Sequence, residues 1–298
     1  MDYILGLIHK IITDFGLNKF NFVQFYLIFC TVVISLLIEL FIVGYKESSL
    51  KKIIKPQNNF ADHISFLIES LNLFGFISFI FCFGIFYKIT GYLQMNYHYK
   101  FIGLIENKYL IFIIVYVLND LKSYWRHLLF HKVNFLWQLH SFHHSAENFN
   151  ILNRYRGHFL EGAISVLFDV FPFILIGTPI ETFLLVKFIS EIHQQLVHSN
   201  INSSWGFIGK YILVSPLYHK IHHSIDERHF NKNFGVTFVF WDKIFKTSIL
   251  EKKITHVGVP HSYFNKKGYF YDIFKSTTLF LKHFMQTILF IKKTNIKA

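Results

Sequence analysis

The stretch Tyr124-Trp125-Arg126-His127-Leu128-Leu129-Phe130-His131 carries two histidines four residues apart, and nine residues after the second comes the set His140, His143 and His144. A third set, His219, His222 and His223, repeats the H-x-x-H-H spacing, and each triple is followed by a serine, Ser145 or Ser224. Separations of three and four residues bring side chains onto one face of a helix. Each set can therefore aim two or three imidazoles at one point, and neutral imidazole is a ligand for zinc, copper, iron and nickel. A single histidine on an apolar helix is ordinarily a core or boundary residue, and His9, His63, His98, His229, His256, His261 and His283 are read that way. Three sets in this order predict a polynuclear metal site.

The chain around them is apolar. Of 298 residues, 52% are hydrophobic and only 16% charged, and phenylalanine alone supplies 38. Mean hydropathy is +0.36, high for a chain that must keep a polar surface. The net charge of +12 would suggest nucleic acid in a soluble protein. Here the lysines flank long apolar stretches, so anionic lipid headgroups are the better partner and no nucleic acid is expected. The two cysteines, Cys30 and Cys82, lie inside apolar stretches and build neither a disulfide framework nor a cysteine zinc motif.

Residues 1–20 place Ile4, Ile8, Ile11, Ile12 and Phe15 at helical spacing, which predicts an interfacial helix rather than a signal peptide. Phe22 to Val43 is long enough to cross a bilayer, which takes about 20 apolar residues. A basic loop with Lys46, Lys51, Lys52 and Lys55 follows, then a second apolar stretch from Ile64 to Tyr87 and a third from Tyr109 to Leu121. The histidine region is basic (Lys122, Arg126, Lys132, Arg154, Arg156), which places it with the 46–55 loop on the cytoplasmic side and the N-terminus outside. Residues 159–197 are apolar again and are broken at Gly177-Thr178-Pro179, a turn between two helices. Such a hairpin returns the chain to the side it left and lets His219, His222 and His223 share a site with His127 to His144. The run Phe234 to Trp241 suits a short strand or an aromatic packing segment, and residues 277–291 a second interfacial helix. The expected architecture is an all-α integral membrane protein, with an anchor over 1–108, a catalytic region over 109–250 and a basic amphipathic tail over 251–298.

At this point the sequence resembles the fatty acid hydroxylase/sterol desaturase superfamily of membrane oxygenases, over roughly residues 116–250. The residues that carry the resemblance are Asp120 with Tyr124-Trp125 and the first histidine pair, Leu136-Trp137 before the second set, Arg156-Gly157-His158-Phe159-Leu160-Glu161, His198-Ser199-Asn200, Pro216 before the third set, and Asn233-Phe234-Gly235 through Trp241-Asp242 to Thr247. The resemblance implies a transmembrane helix bundle topped by a cytosolic cap that holds two iron ions, with zinc as a possible substitute. It carries over His127, His131, His140, His143, His144, His198, His219, His222 and His223 as ligands. Two departures stand out. Leu128 occupies a position that is often arginine, and the histidine before His198 is His193, five residues away, with Gln194 at the four-residue spacing. Five residues is about 140° around a helix, so the tenth ligand is His193, Gln194 or water. His158 reads as structural or as a residue that supports the ligands. Asp120, Glu161 and Asp242 are candidates to accept hydrogen bonds from histidine N–H groups. Their alternatives are a helix cap for Asp120 and a pair with Lys243 or Arg228 for Asp242.

The implied activity is O₂-dependent hydroxylation or desaturation of a lipid (fatty acyl, sterol or ether lipid), with electrons from a separate donor protein. A metal transporter, a bis-histidine haem protein and a non-catalytic zinc protein of the same fold are the alternatives. The first would need acidic residues along an intramembrane path, the second histidines within facing spans.

Overall fold

The first apolar stretch folds as helix α1 (Phe22–Glu47). Among the described residues it is the one helix long and apolar enough to cross a membrane. Its large side chains point outward, with Phe41 92% exposed, as expected of a surface that hydrocarbon would cover. Gly44, at φ +71°, breaks its last turns, and the chain reverses into α2 (Ser49–Ile53). Glu39, fully buried in α1, accepts hydrogen bonds from Ser49 N (3.0 Å) and Oγ (2.9 Å) and from Asn200 N (2.6 Å). It so ties α1 to α2 and to the segment after His198.

The computed structural model describes residues 22–54, 60–71, 101–169 and 176–295 without 253 and 255, together with residues 73, 92, 172 and 173. The interfacial helix expected over 1–20 and most of the second apolar stretch lie outside these. The start of that stretch is α3 (Phe60–Ser70).

The third apolar stretch and the first histidine pair form one continuous helix, α4 (Lys108–Lys132), about 37 Å long. Asn107 caps it, its Oδ1 accepting from Tyr109 N and Leu110 N. The N-terminal half exposes Tyr109, Leu110 and Ile113, whereas the C-terminal half buries Asn119, Asp120, Ser123, Tyr124 and His127. Val133 is extended (φ −92°, ψ 114°) and turns the chain into α5 (Asn134–His144). The histidines at the end of α4 and along α5 are therefore presented by two packed helices.

Helix α6 (Phe159–Asp169) packs on α4, and α7 (Ile180–Val197) lies against both α1 and α4. The turn before α7 contains Gly177 at φ +72°, a left-handed conformation that glycine adopts without strain. The third histidine set lies on α9 (Pro216–His222), after the short α8 (Gly206–Tyr211). Ser215 Oγ caps α9 by accepting from Tyr218 N, and Pro216 fills its first turn. Residues 234–241 form no strand. They make a single antiparallel bridge, Leu213 to Phe238, and lead into α10 (Phe240–Ile244). Among the described residues the regular secondary structure is helical, without strands.

The tail is one long helix, α11 (Tyr269–Asn295), packed on α5. Phe142 of α5 is fully buried against Phe264 and Tyr269. His158 is 1% exposed and pins α11: its Nε2–H donates to Ile273 O (3.2 Å) and Thr277 Oγ1 (3.0 Å), while its Nδ1 accepts from Leu160 N. Burial holds this imidazole neutral, with its pKa lowered from 6.5 to about 4. Between those values the unfolded chain binds the proton and the folded chain does not. The stability contributed is therefore present above about pH 6.5 and lost as pH falls toward 4. Thermal unfolding of the wild type and of His158→Gln should differ at neutral pH, and the gap should narrow by about 2 kcal/mol at about pH 5. A gap independent of pH would contradict this placement.

Candidate metal centre

Nine histidines from α4, α5, the end of α7 and α9 converge on one region. His127, His131, His140, His144 and His222 form one group and His143, His198, His219 and His223 a second. Within each group one nitrogen per ring lies within 4.8 Å of every other. The groups adjoin: His144 stacks on His223 with centroids 4.2 Å apart. The residues that interleave on α5 separate by face, with His140 and His144, one turn apart, in the first group and His143 in the second.

The outer nitrogens are held by the chain. The Nδ1–H of His127 donates to Phe234 O (3.0 Å), that of His143 to Arg156 O (3.2 Å), that of His198 to Gln194 O (2.6 Å) and that of His222 to Lys232 O (2.7 Å). His140 Nδ1 donates to the Glu161 carboxylate at 2.7 Å. Each bond fixes the tautomer and turns the Nε2 lone pair inward. The inward atoms have no protein partner that suits them. Nε2 of His131, His140, His144 and His222 is buried without a hydrogen bond. In the second group the Nε2 atoms face one another, His143 to His198 at 3.3 Å, His198 to His219 at 3.0 Å and His219 to His223 at 3.2 Å. Neighbouring nitrogens on a common metal, each at about 2.1 Å, stand roughly 3 Å apart. A buried polar atom left unpaired costs about 1–3 kcal/mol, so a shell with so many is explained by a ligand they share. Burial also keeps the rings in the neutral, ligating form. The pKa values of His127, His131, His143, His144, His219 and His223 lie well below 6.5, first through desolvation and then through their histidine neighbours, and that of His222 is lowered to about 3. The donor set fits two divalent transition-metal ions.

His193 is not part of either group. Its Nε2–H donates to Val214 O at 3.0 Å and its ring faces Trp205, as a residue five positions from His198 must on a regular helix. Gln194 also turns elsewhere, its amide donating to Val236 O. Neither completes a tenth position.

A family model described as fatty acid hydroxylase matches residues 112–247, which contain all nine converging histidines. Over this region, just under half of the chain, the sequence is similar to the fatty acid hydroxylase family. Its curated relatives include an alkylglycerol monooxygenase of Caenorhabditis elegans, 31% identical over 134 residues (45% of this chain, 26% of the relative). The alkylglycerol monooxygenase of Homo sapiens is 26% identical over 174 residues (58% and 38%). Ornithine lipid hydroxylase OlsE of Rhizobium tropici is 29% identical over 131 residues (44% and 39%). The matches thus span well under half of these relatives' own length. No solved structure matches.

The three carboxylates expected around the histidine centre have different roles. Glu161 binds a histidine N–H directly. Replacing it by glutamine leaves an acceptor of equal size but removes the charge. Second-sphere changes of this kind cost about 10–100-fold in metal affinity, so Glu161→Gln should weaken metal binding by that factor while melting close to wild type. Unchanged affinity in a metal-chelator competition would contradict the role. Asp120 touches no histidine. Its carboxylate accepts from Thr237 N (2.7 Å), Phe238 N (2.9 Å) and Trp241 Nε1 (3.0 Å), so it neither caps a helix of its own nor orients a ring. Asp242 likewise pairs with neither Lys243 nor Arg228. It accepts from Phe234 N (2.8 Å), Gly235 N (2.7 Å) and Thr247 Oγ1 (2.6 Å). It acts on His127 one step removed, by fixing the peptide whose carbonyl receives that ring. A Cβ on Gly235 would lie 2.8 Å from both Asp242 Oδ2 and Phe238 O, so only glycine fits this approach.

Sequence reasoning missed the carbonyl acceptors, since any residue type supplies one. It named Asn233 within a motif but gave it no role. That residue sits in the left-handed region (φ +59°) and ties the loop to α9 and to 249 through Tyr218 O, Ile249 O and Ile249 N. Asparagine tolerates that conformation better than most residues, and that tolerance is the physical reason for its place in the motif.

Proposed function

We propose that the chain is an integral-membrane oxygenase that uses two iron ions, O₂ and electrons from a separate donor to hydroxylate or desaturate a lipid. The observation that carries this reading is the five-plus-four convergence of buried, inward-facing imidazoles within a fatty acid hydroxylase region. The names of the relatives, which are lipid monooxygenases and hydroxylases, support a lipid as substrate.

Iron held there supplies O₂ activation toward an unactivated C–H bond; zinc would occupy the same nitrogens without redox chemistry. Hydroxylation places one oxygen atom in the C–H bond and reduces the other to water, with two electrons from the donor and two protons. The chain's own residues orient the imidazoles and cover them. Glu161 and four main-chain carbonyls keep the Nε2 atoms turned inward. Phe234, fully buried, contacts His127, His131 and His222, and Trp137 packs on His131 and His144, so these rings cover the first group on the side away from the polar cavity.

In this reading α1, the first half of α4 and the α6–α7 hairpin lie in the bilayer as part of a multi-pass anchor, with the histidine cap on the cytoplasmic side. The apolar, outward-facing side chains of α1, α4 and α7 support this. Residues 1–108 are the anchor, 109–250 the catalytic region and 251–298 a basic amphipathic tail. The donor docks at a groove of about 620 Å³ on the far side of the second group, where Lys52, Lys220 and Phe149 contribute to the lining. Phe149 stacks on His198 (5.7 Å, 11° between planes) and so separates the groove from the ligands by one ring. The lysines favour an acidic donor.

The test is incorporation of ¹⁸O from ¹⁸O₂ into lipid extracts by iron-loaded protein supplied with a reductase and an acidic one-electron carrier. Label from hydroxylation, or a new double bond formed with both oxygen atoms lost as water, that depends on both reductant and iron is the expected result. Fully loaded protein that leaves acyl, sterol and ether lipids neither labelled nor desaturated would overturn the reading.

A further inference from the structure

The one cavity among those described that reaches the centre has a volume of about 180 Å³ and touches histidines of both groups, among them His127, His140, His143 and His198. Ligand pockets that enclose a whole drug-sized molecule run to about 300–1,000 Å³, so this cavity holds a headgroup and not a lipid. Its walls are two polar stripes. Asn119, Lys122, Ser123 and Arg126 on α4 repeat the spacing i, i+3, i+4, i+7, and Lys187, Ser190, Glu191 and Gln194 repeat it on α7. Asn119 Nδ2 reaches Ser190 Oγ across the gap at 3.4 Å. The outer faces of the same helices are apolar, with Ile113 56% and Leu184 54% exposed. Two helices with apolar outer faces thus hold a charged, headgroup-sized slot between them, opening on the histidines.

The charge within the slot is uneven. Lys122 and Arg126 share Asp169, and Arg154 pairs with Glu191 at 2.9 Å. With Lys187 and with Arg156, which itself pairs with the buried Asp62 at 3.1 Å, the lining carries five basic residues against three acidic ones, Glu161, Asp169 and Glu191. Only Phe130 and Val236 are apolar among the residues that line it. An acyl chain threaded here would strip water from ion pairs and return no hydrogen bonds. A phosphate, carboxylate or hydroxylated headgroup replaces that water with bonds of its own.

We propose that the lipid enters polar end first. Its headgroup, anionic or zwitterionic, lodges between the α4 and α7 stripes, its chain lies along the apolar outer faces, and the carbon oxidised is among those nearest the headgroup. This rests on the oxygenase reading of the centre, but the location of the headgroup can be read without turnover.

Two photoactivatable lipids of equal chain length and anionic headgroup, one with its diazirine beside the headgroup and the other at the chain end, are crosslinked to purified metal-loaded protein. The adducts are mapped by peptide mass spectrometry. The headgroup probe should label the peptides containing 119–126 and 187–194, and the chain-end probe the outer faces over 109–118 and 180–189. Lys187→Met should lower the headgroup labelling several-fold with bound metal unchanged. A chain-end probe that labels the 119–126 stripe, labelling by neither probe, or equal labelling by a lipid lacking a polar group would overturn the proposal. Where the protein turns over, oxidation at the methyl end of the chain would do so as well. Absence of turnover with the expected labelling would count against the oxygenase reading alone.

Discussion

Replacing His222 by alanine should remove one of two metal equivalents and lower lipid oxidation by about a thousandfold or more. His222 faces His127 and His131 with ring centroids 4.4 and 4.6 Å away, and its buried Nε2 has no partner in the protein. Loss of a residue that only supports a ligand costs about 10–100-fold, and loss of a ligand that faces three or four others should cost more. The second group keeps its four imidazoles in this variant, so about one equivalent should remain. His219→Ala should show the converse, with loss from the second group. Elemental analysis of both variants beside the wild type checks the prediction. Loss of both metals from each variant would mean that the nine histidines act as one cooperative site rather than two. As a control, Lys232→Ala should be silent, because His222 binds the carbonyl of Lys232 and not its side chain.

The second large effect is structural. Asp242 is fully buried and receives two main-chain N–H groups and a hydroxyl. Asp242→Ala leaves those donors unpaired in the interior, at about 1–3 kcal/mol each and about 3–5 kcal/mol together. Because Phe234 carries both one of these N–H groups and the carbonyl that holds His127, metal retention should fall along with the melting temperature. Asp242→Asn, which keeps a carbonyl acceptor, should fall between. Thermal unfolding with and without added metal reads both effects. If Asp242→Ala melted like wild type, the loop would be held by something other than this carboxylate.

The centre was legible in the sequence to the extent that helical spacing reports a shared face. His127 with His131, and His140 with His144, are spaced by one turn, and the structure brings each pair to one point. Spacing could not say that His143 parts from His140 and His144 to join His198, because that division depends on how α5 is rotated between α4 and α9. The aspartates were harder. Asp120 and Asp242 lie in register with the motifs, yet both bind main-chain N–H groups of the 234–238 segment, whose path no local pattern encodes. A β-branched and aromatic composition suggested a strand or an aromatic packing segment there, and the aromatic packing is what forms. The segment spends its N–H groups on those carboxylates, which leaves one bridge and no ladder. The polar stripes at 119–126 and 187–194 were visible as residues, but each sits inside or beside an apolar run and reads as punctuation until the two helices face each other.

The most direct test of the account is the metal content of wild-type protein purified in detergent from iron-supplemented cells, measured by plasma mass spectrometry against protein concentration. The account predicts about two equivalents of transition metal per chain, iron predominating. Well-folded protein with less than one equivalent of any transition metal, even after reconstitution, would contradict it, since the inward-facing imidazoles would then have no common ligand to explain them.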